Sequence, residues 1–92
     1  MLSARIRELR CARNISQVEM ARLLGVTKQS VSNWENNNIQ PSVDMLVKIA
    51  RLFSVSADYL LCLDGRQVLD VTGLPPESVG HIQQIVDDIR KK

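Results

Sequence analysis

Lys28, Gln29, Ser32 and Asn33 are the side chains of this sequence whose types and spacing suit a chemistry of recognition. An ammonium, two amides and a hydroxyl lie within two helical turns, and the amides, four residues apart, share a helix face. An amide can bond adenine bidentately at a base edge, and a lysine can donate to the acceptors of guanine. A chemistry of bond-making would need different residues. The one histidine, His81, stands three residues after Ser78, while Asp87 and Asp88 are adjacent and point to different sides of a helix. No glycine-rich phosphate loop, metal-ligand spacing or triad spacing occurs. The chain is expected to be neither an enzyme nor the carrier of a cofactor or metal.

The elements that must position those side chains run from Gln17 to Trp34, QVEMARLLGVTKQSVSNW. Ser16 precedes a helix whose third residue is Glu19, so the Ser16 hydroxyl can accept from the Glu19 amide while the Glu19 carboxylate reaches back. Met20, Ala21 and Leu24 recur on one face of that helix. Gly25 then supplies the left-handed conformation that closes it. Thr27 can cap a second helix, in which Val31 and Trp34 face inward and Lys28, Gln29, Ser32 and Asn33 face outward. Ala21 is small because two helices joined by so short a turn cross steeply and approach closely.

A small residue, a turn glycine and five apolar positions (Met20, Leu24, Val26, Val31 and Trp34) in this register resemble the helix-turn-helix of the lambdoid phage repressor and Cro regulators, the Cro/CI-type or XRE family. The resemblance extends from about Ile6 to Leu61, and PSVDMLVKIARLFSVSADYLL looks like the fourth and fifth helices of that family. Ser54 departs from it, standing where many relatives carry a helix-ending glycine. The resemblance implies an all-α, compact five-helix lambda-repressor-like domain that binds double-stranded DNA as a sequence-specific transcriptional regulator, and as a repressor in particular. The helix starting near Lys28 would enter the major groove of a two-half-site operator, with Lys28, Gln29, Ser32 and Asn33 on base edges. Gln17, Ser30, Asn36 and Asn37 would then face the sugar-phosphate backbone. Arg10 and Glu35 match the places of an arginine and a glutamate that pair in relatives and orient the recognition helix.

Around the helix pair the chain reads in order. Ser3 to about Arg13 carries Ile6 and Leu9 at helical spacing, an amphipathic first helix. ENNNIQ, from Glu35 to Gln40, is a polar loop. Pro41 and Ser42 announce a helix from Val43 to about Phe53, whose Leu46, Ile49, Ala50 and Phe53 share a face, and Ser56 caps a short fifth helix through Leu61 that returns Tyr59 and Leu60 to the core. These elements divide into a DNA-binding domain over 1–63, a linker over 64–75 and an additional C-terminal helix over 76–92 that starts after Gly73, Pro75 and Pro76. In that helix Val79, Ile82, Val86 and Ile89 alternate spacings of three and four. The seam either meets its copy in a second chain or folds back on its own domain; Gly80 weakens the helix by about 1 kcal/mol relative to alanine.

Composition sets the outer limits. Ninety-two residues, 45% hydrophobic but 3% aromatic, make one domain with a mostly aliphatic core. No apolar run approaches membrane-spanning length and MLSARIREL lacks a secretory apolar region, so a cytoplasmic protein of bacterial or phage origin is expected. Cys11 and Cys62, far apart in sequence, read as buried free thiols. The net charge is a modest +2, but up to Glu35 Arg5, Arg7, Arg10, Arg13, Arg22 and Lys28 face Glu8, Glu19 and Glu35, whereas acids outnumber bases from Asp64 onward. Phosphate attraction would concentrate positive charge in this way. The partners expected are duplex DNA, a second copy of the chain and an antagonist or toxin protein, with no membrane and no small-molecule ligand. A protein-interaction module such as an antitoxin or adaptor on the same fold is the alternative.

Overall fold

Each of the first five helices of the computed structural model, which describes residues 2–63 and 68–91, places one fully buried side chain in a common core: Ile6, Met20, Val31, Ile49 and Leu60. The helices are α1 Leu2–Ala12, α2 Gln17–Leu24, α3 Lys28–Glu35, α4 Val43–Leu52, α5 Ala57–Leu60 and α6 Pro76–Arg90. Leu9, Ala21, Leu24, Trp34, Ala50, Phe53 and Val55 complete the core, with Leu46 and Tyr59 packed partly buried against it. No strand occurs among the described residues. The fold is all-α, as expected, with α1 starting at Leu2 rather than Ser3.

Local chemistry sets the helix boundaries. Ser16, Thr27, Ser42 and Ser56 accept through their hydroxyls from the amides of Glu19, Ser30, Met45 and Tyr59 at 3.0, 3.1, 3.1 and 3.0 Å, each satisfying one of the donors that a helix start leaves free. The other ends share a second device. Asn14, Gly25, Asn37, Ser54 and Cys62, each just past a helix, have φ of 55°, 73°, 59°, 53° and 61°. The amide after each reaches back five residues: Ile15 to Arg10 O (3.4 Å), Val26 to Ala21 O (2.9 Å), Asn38 to Asn33 O (2.9 Å), Val55 to Ala50 O (3.0 Å) and Leu63 to Asp58 O (2.8 Å). This is the left-handed closure that glycine adopts freely and other residues adopt at a cost. Ser54 therefore closes α4 in a left-handed turn without a glycine.

Two expectations are corrected here. Cys11 and Cys62 are both exposed, not buried. Cys11 lies two residues past the buried Leu9 and so faces away from the core, and Cys62 sits in the left-handed turn after α5. The reciprocal half of the Ser16 capping box also does not form: the Glu19 carboxylate accepts from Arg22 Nε at 3.0 Å and from its Nη2 instead, since an arginine three residues along the helix is within easy reach.

α6 stands apart from this core and buries none of its side chains. The irregular stretch before it is tied to the domain by the Asp70 amide, which donates to Ser54 O at 3.0 Å, and is shaped by a hydrogen bond of 2.9 Å from the Thr72 amide to Asp70 Oδ1. The turn expected at Asp64 lies outside the described residues. Val79 and Ile82 are half-buried, while Val86 and Ile89 are exposed. Leu69 and Val71 flank α6 on the side of Val79 and Val86, forming a shallow groove.

Candidate nucleic-acid interface

The inward face of α3 is fixed by Val31 and Trp34, which leaves a polar ridge on the opposite side. Lys28 and Gln29 are exposed there, and Ser32 and Asn33 are half-buried. Hydrogen bonds within the helix organise this ridge. Gln29 Nε2 donates to Asn33 Oδ1 at 3.0 Å, Asn36 Nδ2 donates to Ser32 Oγ at 3.2 Å, and the Thr27 and Ser30 hydroxyls lie 3.0 Å apart. Ser30 is thus engaged with the helix cap, while Asn36 and Asn37 are exposed just past the helix end. Sequence reasoning assigned these side chains singly and missed the pairing, although amides four apart on a helix signal it.

Behind the ridge, α3 is anchored through Glu35, whose side chain is only 2% exposed. Arg10 Nε donates to Glu35 Oε2 at 2.7 Å and Nη2 to Oε1 at 3.0 Å, while Nη1 donates to Ile15 O at 2.9 Å. This two-point geometry fixes both partners in orientation. The Glu35 hydrogen bond raises the pKa of the Arg10 guanidinium above its usual value, against the opposing effect of burial. Gln17 Nε2 also donates to Glu35 Oε1, at 3.2 Å. One carboxylate therefore joins the end of α1, the start of α2 and the end of α3. Gln17, expected to meet a phosphate, commits its side-chain amide to this network, and its backbone N–H in the first turn of α2 is the group free to receive an anion.

Charge around the ridge is unevenly neutralised. Glu8, Glu19 and Glu35 each face an arginine, Arg5, Arg22 and Arg10. Arg22's bond lowers the pKa of the Glu19 carboxyl. Arg5 also lies over the Tyr59 ring, 3.8 Å from its centroid. Arg7, Arg13 and Lys28 have no carboxylate within ion-pair distance among the described residues, and the Arg13 guanidinium sits 5.8 Å from the Phe53 ring centroid. The surplus positive charge of the first half thus resides in three residues, one of them on the ridge.

Comparison with known proteins decides the family, because a helix-turn-helix family model matches residues 6–60, the whole of the five-helix core from Ile6 to Leu60. The chain belongs to the Cro/CI-type, or XRE, helix-turn-helix family. Within that family it is similar to the HTH-type transcriptional regulator ImmR of Bacillus subtilis, 32% identical over 88 residues that cover 95% of this chain and 69% of ImmR. It is also similar to YobD of the same organism, an uncharacterized HTH-type transcriptional regulator, at 38% identity over 63 residues covering 68% of this chain and 56% of YobD. The chain thus spans little more than half of YobD's length. A crystal structure of the P22 c2 repressor in complex with a synthetic operator superposes with a TM-score of 0.65 at 30% identity, covering 70% of this chain and 97% of that one. No described helix is long and apolar enough to cross a membrane.

Proposed function

We propose that this family member is a sequence-specific double-stranded DNA-binding transcriptional regulator, acting as a repressor, whose α3 enters the major groove of a two-half-site operator. The observation that carries this is the outward ridge of α3: Lys28, Gln29, Ser32 and Asn33 present donors and acceptors to solvent while the Arg10–Glu35 pair holds the helix from behind. A helix so anchored meets bases without first having to order itself. In this reading Gln29, Lys28 and Asn33 touch base edges, with Ser32 as a smaller contributor. Ser30, Asn36, Asn37 and the first amides of α2 beside Gln17 set register on the phosphates. Membership of the family and the operator-bound P22 c2 structure support the reading.

The regulator acts as a homodimer, and the seam Val79, Ile82, Val86 and Ile89 of α6 is the surface that meets the second copy. Support for this comes from α6 itself, where Ile89 is 65% exposed and no side chain is buried. Recognition helices about 34 Å apart then face successive major grooves. Repression follows where the operator overlaps a promoter. Such a protein works in the cytoplasm of a bacterium.

Selection of bound fragments from random duplex DNA, followed by binding measurements across a salt series, tests the proposal. A two-fold symmetric site and an affinity that falls steeply with salt are expected. Gln29→Ala is expected to cost about 1 to 3 kcal/mol on the selected site and to relax one base position. A variant that binds every sequence as the parent does would sink the assignment of α3.

A further inference from the structure

Gln29 and Asn33 are chemically unequal on the ridge, although both carry a primary amide. Such an amide offers two N–H donors and an oxygen with two lone pairs. The bond from Gln29 Nε2 to Asn33 Oδ1, 3.0 Å long, uses one donor of the first and one lone pair of the second. Gln29 keeps its whole oxygen beside a free N–H, the acceptor and donor that match N6 and N7 of adenine. Asn33 keeps both N–H groups while its oxygen is turned toward Gln29. With two free N–H groups against one remaining lone pair, its outward chemistry is mainly that of a donor, which suits N7 and O6 of guanine or O4 of thymine. Asn33 is half-buried and Gln29 exposed, so Asn33 has less room to turn than Gln29.

We infer that the Gln29–Asn33 hydrogen bond is a specificity-determining element that makes Gln29 an adenine reader and Asn33 a reader of acceptor-bearing bases. This rests on α3 being the base-contacting helix. Alone, each amide could turn about its terminal torsion, which is broad and roughly two-fold, and accept either pattern. Coupled, the two side chains read a pair of neighbouring base positions as a unit. Changing Asn33 therefore alters the preference beneath Gln29 as well as its own.

Two substitutions separate the coupling from the contact. Asn33→Asp retains an oxygen to receive Gln29 Nε2 but has no donor, whereas Asn33→Ala removes both. Binding sites are selected from random duplex DNA with the parent and each variant, and the preference at each position is compared. The parent is expected to select adenine at one position and guanine or thymine at its neighbour. Asn33→Asp is expected to keep the adenine and lose the guanine or thymine preference. Asn33→Ala is expected to lose the neighbour's preference and weaken the adenine preference about fivefold, on the order of one hydrogen bond. If Asn33→Ala leaves the adenine preference intact, or Asn33→Asp weakens it equally, the coupling is overturned while α3 remains the reader. A parent that selects no sequence overturns the reading role of α3, and the coupling with it.

Discussion

Arg10 and Glu35, 25 residues apart in sequence, meet edge to edge, with Nε 2.7 Å from Oε2 and Nη2 3.0 Å from Oε1. Glu35 is the only buried charged residue among those described, and Arg10 is its one cationic partner. The pair ties the end of α3 to α1. Removing Arg10 strands a carboxylate away from water. Arg10→Met is expected to lower unfolding stability by about 3 kcal/mol, and Arg10→Met combined with Glu35→Leu to recover much of that loss. Urea denaturation followed by circular dichroism reads both, and a single variant as stable as the parent would show the pair to be dispensable.

The left-handed helix closures give two substitutions of opposite sign. Ser54 adopts φ 53°, and Ser54→Gly is expected to raise stability by about 0.5 to 1 kcal/mol, because glycine adopts that conformation without the side-chain clash. Gly25 adopts φ 73° with nothing within 4 Å of where a Cβ would stand, so Gly25→Ala tests the backbone cost alone. A loss of about 1 to 2 kcal/mol is expected. Thermal melts of the two variants on either side of the parent check the pair.

Ala21, only 3% exposed, is packed into the core from the buried face of α2. Ala21→Leu is expected to cost about 1 to 3 kcal/mol by overpacking and to splay α2 and α3. The weaker DNA binding that follows should exceed what the loss of folded protein explains. Comparing melting temperature with operator affinity tests this.

Glu19 supplies a pH dependence whose sign is fixed. Arg22's hydrogen bond lowers its carboxyl below the ordinary value of 4.5 in the folded chain. The contribution to stability is therefore present above 4.5 and is lost as pH falls through the lowered folded value. Arg22→Gln is expected to return the Glu19 carboxyl toward its ordinary titration, as read by NMR of the side-chain carboxyl carbon. An unchanged titration would show that Arg22 is not the cause.

The exposed seam of α6 predicts a concentration-dependent mass. Ile89→Asp, and Ile82→Asp from the half-buried part of the same seam, are expected to shift sedimentation toward the monomer while leaving the melting of the five-helix core unchanged. A parent that sediments as a monomer at every concentration would sink the proposed dimer.

Much of the fold was legible because its boundaries rest on short-range chemistry. Ser16, Thr27 and Ser56 mark helix starts by residue type and spacing alone and each accepts the expected bond, while Ser42, read with Pro41 as announcing a helix, accepts one as well. The three-residue spacing of Val31 and Trp34 likewise identified the inward side of α3. Choices between partners equally near in sequence were not legible. Glu19 can reach the Ser16 amide or the Arg22 guanidinium, and the charged partner wins. Gln17 could face solvent or Glu35, and only the folding together of α1, α2 and α3 brings the carboxylate within reach. Cys11 shows a different failure. The general tendency of cysteine to be buried was given more weight than its position two residues past Leu9, which directs it outward.

Among the described residues the five largest fully buried side chains come one apiece from α1 to α5 and none from α6, so a substitution confined to α6 leaves all five untouched.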